Sequence, residues 1–346
     1  MSASARARVR VVDLLRLLAA FQMVQGHTID AVLAEDARSG PVFAAWVWAR
    51  GLTSVAFLLV TGLAFHLATV ADLPRHLADP RAIARRLRRG ALLIGLGYAL
   101  HAPLGPSSGG LGGALHGALI VDVLQNMGVS LWLLEGTLLA LRSARAARAL
   151  WLVLAAGLLV GAPFAAGLSP DGPLRPLLNF ITPLGGSLFP LLPWTAHVLL
   201  GAALAPWLLA PDAPDARTRG TRFALAAAGL WALSWLVGEA GLALPAMHLQ
   251  RLAAVLGVGA GLVALEPLLA RAPAWIWRLS GETLVIYVLH ILLAYASGAS
   301  LRVWIGHVLP PLAAAGMALS MLLLCAAAAL AYPRLLRGLA RPVEAG

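Results

Sequence analysis

The sequence predicts an all-α integral membrane protein, a polytopic bundle of about ten transmembrane helices. Hydrophobic residues make up 60% of the chain and charged residues only 12%, whereas an ordinary soluble domain carries about 25% charged residues. The mean hydropathy is +0.83. This composition excludes an ordinary soluble protein and indicates a chain that is embedded in lipid.

Ten apolar stretches are long enough to be spans, because crossing a hydrocarbon core of about 30 Å takes about 20 mostly apolar residues. The third stretch is short, and the second could begin as early as Phe43. The loops at 102–113 and 169–186 are short and rich in proline and glycine, so they cannot form separate domains. We therefore predict a single transmembrane domain over residues 1–346. The ten stretches are 11–33, 50–71, 90–104, 118–141, 149–167, 187–209, 222–243, 248–269, 279–300 and 310–332.

The basic residues predict the orientation of the chain. All 26 are arginine, and with the N-terminus inside, twenty lie in the N-terminus or in gaps that face the cytoplasm, while five lie on the opposite side. Positive residues accumulate on the cytoplasmic side of membranes. We therefore predict that both termini are cytoplasmic and that the membrane is a bacterial inner membrane. Membrane topology thus accounts for the arginines that give the net charge of +11, so we predict no nucleic-acid partner.

Neither redox nor metal chemistry is indicated. The single cysteine, Cys325, lies in the apolar run "ALSMLLLCAAAALAY", so no disulfide or cysteine metal cluster is available. We expect no metal. The basic N-terminus resembles the start of a secretory signal, but Asp13 and Arg16 interrupt its apolar region, and we predict a retained first helix.

The first predicted helix carries ionisable residues that lipid would not tolerate on an exposed face. Arg16 and His27 are eleven positions apart, which is about 16 Å and three nearly complete turns, so they share a face. Asp13 can neutralise Arg16, and Asp30, one turn after His27, could hold its ring in one tautomer. Intramembrane ionisable groups indicate a functional site by default. The alternative is that they form two ion pairs near the two membrane interfaces.

Further polar residues lie on three other predicted helices. Asp122, Gln125 and Asn126 fall within one turn of the fourth helix, where they could bind a hydroxylated ligand or hydrogen-bond a neighbouring helix. Trp194, at the start of the sixth helix, is either a substrate contact or an interfacial anchor. His290 lies near the middle of the ninth helix, and buried histidines are often packing residues, so it ranks below His27 as a catalyst.

The inner end of the third predicted helix is strongly basic. Its sequence, "PRAIARRLRRGALLIGLGYAL", contains Arg85, Arg86, Arg88 and Arg89. Guanidinium groups bind phosphate oxygens in a bidentate way, so the cluster suits a phosphate-rich ligand such as coenzyme A. The alternative is a topology signal that also binds anionic lipid.

The chain resembles the transmembrane acyltransferases. Its segment "RVVDLLRLLAAFQMVQGH" is similar to the opening helix of the acyltransferase 3 family, in which an arginine precedes a histidine by eleven positions, as Arg16 precedes His27. The segments "AFLLVTGLAF", "RRLRRGALLIGLGYALH", "DVLQNMGVSL", "FPLLPWTAHVLLGAAL" and "SGETLVIYVLH" resemble, in order, those of the heparan-alpha-glucosaminide N-acetyltransferase catalytic branch. The resemblance covers nearly the whole chain.

This resemblance implies that an acyl group, expected to be acetyl, moves from cytoplasmic acyl-CoA to a sugar or another cell-envelope acceptor. His27 would act as general base or be transiently acylated. Asp30 would orient it, Arg16 would neutralise donor phosphate or fix the helix through Asp13, and the four arginines of the third helix would hold the donor. The expected partners are membrane lipid, acyl-CoA and a glycan or other envelope acceptor.

Two other functions are compatible with the sequence. One is a transporter or lipid-binding protein in which His27, Asp30, Asp122 and His290 form a proton relay. Transporters often show inverted repeats and paired broken helices, and we detect neither in the sequence. The other is a family member that retains only a scaffold role.

Overall fold

The computed structural model is 84% helical. Its described part contains no strand, and one isolated bridge joins Leu33 and Leu309. The described residues are 9–101, 119–168, 174–209, 215–269, 271–296 and 300–339, with side chains up to 333.

The described residues divide into two compact units. The first unit comprises Met1–Leu15 and Ser54–Glu266, and the second comprises Arg16–Thr53 and Pro267–Gly346. Because the division falls within helices, each helix is placed here with the unit that contains most of it. The helices of the first unit are α3 (Leu52–Ala68), α4 (Leu73–Leu77), α5 (Pro80–His101), α6 (Val123–Leu141), α7 (Ala144–Ala165), α8 (Arg175–Leu178), α9 (Leu191–Leu208), α10 (Ala216–Glu239) and α11 (Ala243–Leu269).

The second unit contains the longer part of the first helix and the C-terminal helices. A one-turn π-helix, Leu292–Ala296, directly follows α13. The helices are α1 (Arg10–Val32), α2 (Gly40–Arg50), α12 (Ala274–Gly281), α13 (Thr283–Ile291), α14 (Leu301–Trp304) and α15 (Pro311–Leu339).

Six helical segments in the described part of the chain are long and apolar enough to cross a membrane, and a bent pair raises the number to seven. The all-α membrane fold is therefore confirmed, whereas the predicted number of ten spans is not. Helices α1, α5 and α6 lie at predicted spans but are not among the six. The six segments are Gly40–Leu77, Ala144–Ala165, Leu191–Leu208, Ala216–Glu239, Ala243–Leu269 and Pro311–Pro333, and the bent pair is Ala274–Gly281 with Thr283–Tyr295.

Two predicted spans differ from the helices that contain them. The third span was predicted at 90–104, and its helix begins at Pro80, because proline is favoured in the first turn and Asp79 accepts a hydrogen bond from the Arg81 backbone N–H at 2.9 Å. Hydrogen bonds to the carboxylate, chiefly from the Ala82 backbone, lower the pKa of Asp79. The ninth predicted helix is not continuous, because it bends by 64° between α12 and α13, at Glu282.

Helices of the first unit pack closely where small residues face each other. A Cβ atom on Gly62 of α3 would lie 2.0 Å from the Val198 carbonyl oxygen, and one on Gly201 of α9 would lie 2.3 Å from the Leu59 carbonyl oxygen. Small residues let backbones approach in this way in membrane bundles. These positions therefore fix α9 against α3.

The second unit has a core shared by three of its long elements. Leu17 and Val24 of α1 cluster with Ile286 of α13 and with Met321 and Cys325 of α15. This packing holds α1 beside α13. The polar residues of these two helices are thereby brought together.

Candidate functional site

A histidine pair lies between α1 and α13 in the second unit. Nδ1 of His27 lies 2.9 Å from Nε2 of His290. The rings stack with centroids 5.1 Å apart and planes inclined by 19°. His290 is fully buried, whereas His27 is half-buried. The two histidines that the sequence singled out are therefore direct partners.

The hydrogen bonds of His290 fix where the protons of this pair reside. Nδ1 of His290 lies 2.9 Å from the carbonyl oxygen of Ile286, and a carbonyl oxygen can only accept, so Nδ1 carries the hydrogen. In a neutral ring, Nε2 of His290 is then an acceptor, and Nδ1 of His27 must donate to it. Nε2 of His27 is left with a lone pair, and none of the described residues hydrogen-bonds that nitrogen. The tautomer is inferred here from the hydrogen-bond network.

Tyr295 completes the cluster, and sequence reasoning did not identify it. Its hydroxyl lies 3.0 Å from the His27 carbonyl oxygen and 3.0 Å from Oδ2 of Asp30, and its single hydrogen can be donated to either acceptor. Tyr295 lies five positions after His290, which is not a same-face spacing in an α-helix. The π-helix at Leu292–Ala296 widens this turn, and such turns are frequent at functional sites.

Asp30 does not contact the His27 ring, which corrects the expectation that it would hold the tautomer. Its Oδ1 atom lies 2.9 Å from Arg50 and 3.5 Å from Arg38, and its other carboxylate oxygen accepts from Tyr295. His290 takes the ring-holding position instead. Asp30 is therefore the shared counter-charge of two guanidinium groups beside His27.

Arg16 is separated from this cluster along α1. It lies on the same helix as His27 but eleven residues earlier, which is about 16 Å of helix rise. Its side chain is half-buried. The structure therefore supports a common helix for Arg16 and His27 but no direct contact between them.

The four predicted donor-binding arginines lie in the first three turns of α5. Arg85, Arg88 and Arg89 are exposed, and Arg86 is half-buried. Arg85 forms an ion pair with Asp79 at 3.5 Å, and Arg86 interacts electrostatically with the buried Glu135. No hydrogen bond or ion pair joins Arg88 or Arg89 to another described residue. Their guanidinium groups are therefore available to a ligand.

Asp122, Gln125 and Asn126 belong to the first unit and make hydrogen bonds within the protein. Asp122 caps α6, and the Gln125 side chain accepts from the Asp122 backbone N–H at 3.1 Å. The Asn126 amide donates to the carbonyl oxygens of Phe189 and Pro190, each at 3.2 Å. Gln125 and Asn126 are fully buried. These contacts agree with the alternative in which the three residues make hydrogen bonds within the protein. A role in ligand binding stays a prediction.

Trp194 lies beside a second histidine pair, also in the first unit. Its ring meets that of His248 edge-on, with centroids 4.8 Å apart, and that of Phe189 at 4.7 Å. His248 in turn lies 3.0 Å from His197 through their ring nitrogens. Trp194 thus contacts aromatic and imidazole rings of its own unit.

The family of the chain follows from a sequence match. The profile described as heparan-alpha-glucosaminide N-acetyltransferase, catalytic, matches residues 8–236. The matched region includes His27, Asp30 and the arginines of α5, and it ends before His290 and Tyr295. No curated protein matches the chain. Since the profile covers well over half of the sequence, the resemblance to this family is confirmed, and the chain belongs to the heparan-alpha-glucosaminide N-acetyltransferase catalytic family of membrane acetyltransferases.

Proposed function

We propose that the protein transfers an acetyl group from cytoplasmic acetyl-CoA to a hydroxyl or amine of a cell-envelope acceptor, such as a sugar, with His27 as general base. The observation that carries this proposal is the lone pair on Nε2 of His27, which the proton order through His290 and Ile286 leaves unused. A general base needs a neutral nitrogen within reach of the proton it removes.

In the proposed reaction, His27 alone accepts the transferred proton and returns it. The acceptor oxygen or nitrogen attacks the thioester carbonyl carbon, and Nε2 of His27 takes the acceptor proton. When the tetrahedral intermediate collapses, the carbon–sulfur bond breaks and His27 returns the proton to the thiolate of coenzyme A. Asp30, three residues after His27 on α1, attracts the imidazolium that forms and partly offsets the repulsion from Arg50.

The same contacts favour a base over a proton relay. A relay must pass a proton on at each end, but the chain from His27 through His290 ends on the carbonyl oxygen of Ile286. A backbone carbonyl has no proton to release. This supports the enzyme hypothesis rather than the transporter hypothesis.

The arginines at the start of α5 support a phosphate-bearing donor. The four arginines lie within five positions of one helix, and like charges at this spacing repel each other. Arginine forks bind phosphate oxygens in a bidentate way, so a bound donor phosphate would offset this repulsion. Arg88 and Arg89, which make no described ion pair, are the best candidates for this contact.

The transfer itself is tested with purified full-length protein in detergent or in liposomes. We expect the label of acetyl-CoA radiolabelled in its acetyl group to appear on one of a panel of envelope glycans. Release of labelled acetate alone, or no use of the donor with any acceptor, would contradict the proposal.

The donor site is tested separately by equilibrium binding of acetyl-CoA. Arg88→Gln/Arg89→Gln should weaken binding by at least about tenfold, as expected when charge-assisted hydrogen bonds worth about 1.5–3 kcal/mol are lost. The matched control is Arg145→Gln/Arg217→Gln, which removes two positive charges from exposed arginines of the same unit. Equal affinity in both double variants would reduce the α5 cluster to a topology signal.

The orientation belongs to the same proposal, since the donor is cytoplasmic. The arginine asymmetry favours cytoplasmic termini in a bacterial inner membrane. A reporter enzyme fused after Gly346 should be active only in the cytoplasm. Activity on the other side would place the α5 arginines away from the donor.

A further inference from the structure

The second histidine pair lies deep in the first unit and has no role in the proposed reaction. His197 of α9 and His248 of α11 approach with Nε2 and Nδ1 3.0 Å apart. Their exposed fractions are only 1% and 2%. Buried polar groups in native structures almost always have partners, so each remaining ring nitrogen of this pair calls for one.

A proton count shows what the pair lacks. Two neutral imidazoles carry two N–H groups, and the bond between the rings uses one of them. The other N–H lies on Nδ1 of His197 or on Nε2 of His248, depending on the tautomer. Neither nitrogen hydrogen-bonds another residue in the described part of the chain, and Nδ1 of His197 is buried without a partner. If that N–H lies on Nδ1 of His197, it is a buried donor without a partner; in the other tautomer Nδ1 of His197 is a buried acceptor without a partner, and the second N–H lies on Nε2 of His248.

Arg251 adds one further unsatisfied donor beside the pair. It follows His248 by almost one turn of α11, and it interacts electrostatically with both histidines. Its Nε atom is buried without a partner. Within the described residues, no carboxylate pairs with this guanidinium. Arg219 of the same unit provides a contrast, because it bonds Glu266 at 2.5 Å.

One more donor lies beside the pair. The indole of Trp194, edge-on to His248, has an N–H for which the described residues provide no acceptor.

We propose that Trp194, His197, His248 and Arg251 bind an oxyanion, that is, a phosphate, sulfate or carboxylate group of a ligand. The four side chains supply N–H donors and a positive charge, and no described residue supplies the matching acceptor. A group with several acceptor oxygens and negative charge satisfies all of them. The oxyanion belongs either to an anionic lipid headgroup or to an anionic acceptor; the latter assignment deepens, and rests on, the proposed transfer reaction.

The anion site is tested by binding without any donor. Full-length protein in a neutral detergent is heated with increasing inorganic phosphate, with sodium chloride at matched ionic strength as reference. A ligand that binds only the folded state raises the unfolding temperature in a saturable way. We expect such a rise in the parent protein. Arg251→Gln should need at least about tenfold more phosphate for the same shift.

The matched control is Arg145→Gln, which removes one charge from an exposed arginine of the same unit and should respond like the parent. No saturable rise in the parent, or the same phosphate dependence in Arg251→Gln, would overturn the proposal. If Arg251→Gln does not fold, Arg251→Lys replaces it, and parental affinity in that variant would overturn the guanidinium contact. The absence of a saturable rise in the parent overturns the proposal even if no variant folds, whereas a rise supports it only with the weaker response of an Arg251 variant, because Arg88 and Arg89 also suit phosphate.

The source of the oxyanion is separated in nanodiscs. If anionic phosphatidylglycerol abolishes the phosphate response that neutral phosphatidylcholine permits, the lipid headgroup occupies the site. If the response persists, the ligand is not a lipid, and Arg251→Gln should raise KM at least about tenfold for anionic acceptors only. Because phosphate binding requires no turnover, failure of the transfer assay would leave this result standing.

Discussion

The two histidine pairs share one contact but differ in what that contact leaves unused. The nitrogens are 2.9 Å apart in the His27–His290 pair and 3.0 Å apart in the His197–His248 pair. In the first pair a backbone carbonyl accepts from His290, so both N–H groups are satisfied and a lone pair is left. In the second pair no described group accepts, so an N–H is left.

This difference shows that a third group decides the chemistry of a histidine pair. The Ile286 carbonyl, one turn before His290 on α13, leaves the first pair with an unused lone pair, which suits the proposed base. Without such an acceptor, and with Arg251 nearby, the second pair is left with an N–H, which suits the proposed anion site. The same residue type therefore favours proton abstraction in one unit and anion binding in the other.

The largest expected effect comes from removing the base. His27→Ala should lower kcat by about 10³-fold, within the range that general bases contribute, while acetyl-CoA binding stays near the parent value. A base acts in the transition state, so its loss affects kcat more than ground-state binding. Steady-state transfer and equilibrium donor binding measure the two quantities.

The control for this variant is His307→Ala. His307 is half-buried and pairs with the exposed Glu35 in the second unit, so its removal should leave kcat unchanged. Near-normal turnover of His27→Ala would assign the base to another residue and remove the functional difference between the two pairs.

The next effect tests the proton order itself. His290→Leu removes the acceptor for Nδ1 of His27 and should lower kcat by about 10²-fold. In His290→Gln, the amide oxygen can accept in place of Nε2, so turnover should recover to within about tenfold of the parent. The pH profile of kcat should shift in the leucine variant and return in the glutamine variant. Equal loss in both variants would mean that His290 only packs.

A smaller effect is expected at the counter-charge of the site. Asp30→Asn leaves Arg38 and Arg50 without their shared carboxylate, although the amide oxygen still accepts from Tyr295. We expect kcat to fall by about tenfold and the unfolding temperature to drop. Glu35→Gln is the matched control, because Glu35 is 69% exposed in its pair with Arg38 and such surface pairs contribute little. A loss as large as that of His27→Ala would make Asp30 a direct participant in proton transfer.

The polar residues of the fold were easier to find from the sequence than their partners. Composition identified the helical membrane fold, and the eleven-residue spacing placed Arg16 and His27 on one helix, because a helix has a fixed period. The pairing of His27 with His290 depends on packing between helices 263 positions apart in sequence. A single sequence carries no signal for such a contact.

Local backbone geometry limited the prediction elsewhere. Tyr295 reaches Asp30 because it lies in the π-helix at Leu292–Ala296. A pattern based on 3.6 residues per turn does not predict such a helix. Asp30 was expected to bond the nearest ring along α1, but two arginines outside that helix hold it instead, because a carboxylate gains more from charged donors. The third span was predicted only from residue 90 because the arginines before it lower the hydropathy, whereas the helix starts at the signal given by Asp79 and Pro80.

The smallest expected effect concerns the stability of the second pair. His197→Leu or His248→Leu alone leaves one buried imidazole without its partner, which should cost about 1–3 kcal/mol of unfolding free energy. The double variant removes both polar rings, so its cost should be smaller than the sum of the two single costs, with a coupling of about 1 kcal/mol. Unfolding in mixed detergent micelles without phosphate measures this double-mutant cycle, and the same substitutions at His27 and His290 provide the comparison. Strict additivity at His197 and His248 would mean that their contact contributes nothing to stability. If the His27–His290 cycle then shows coupling, the two pairs differ in the energy of their contact as well as in the nitrogen that they leave unused.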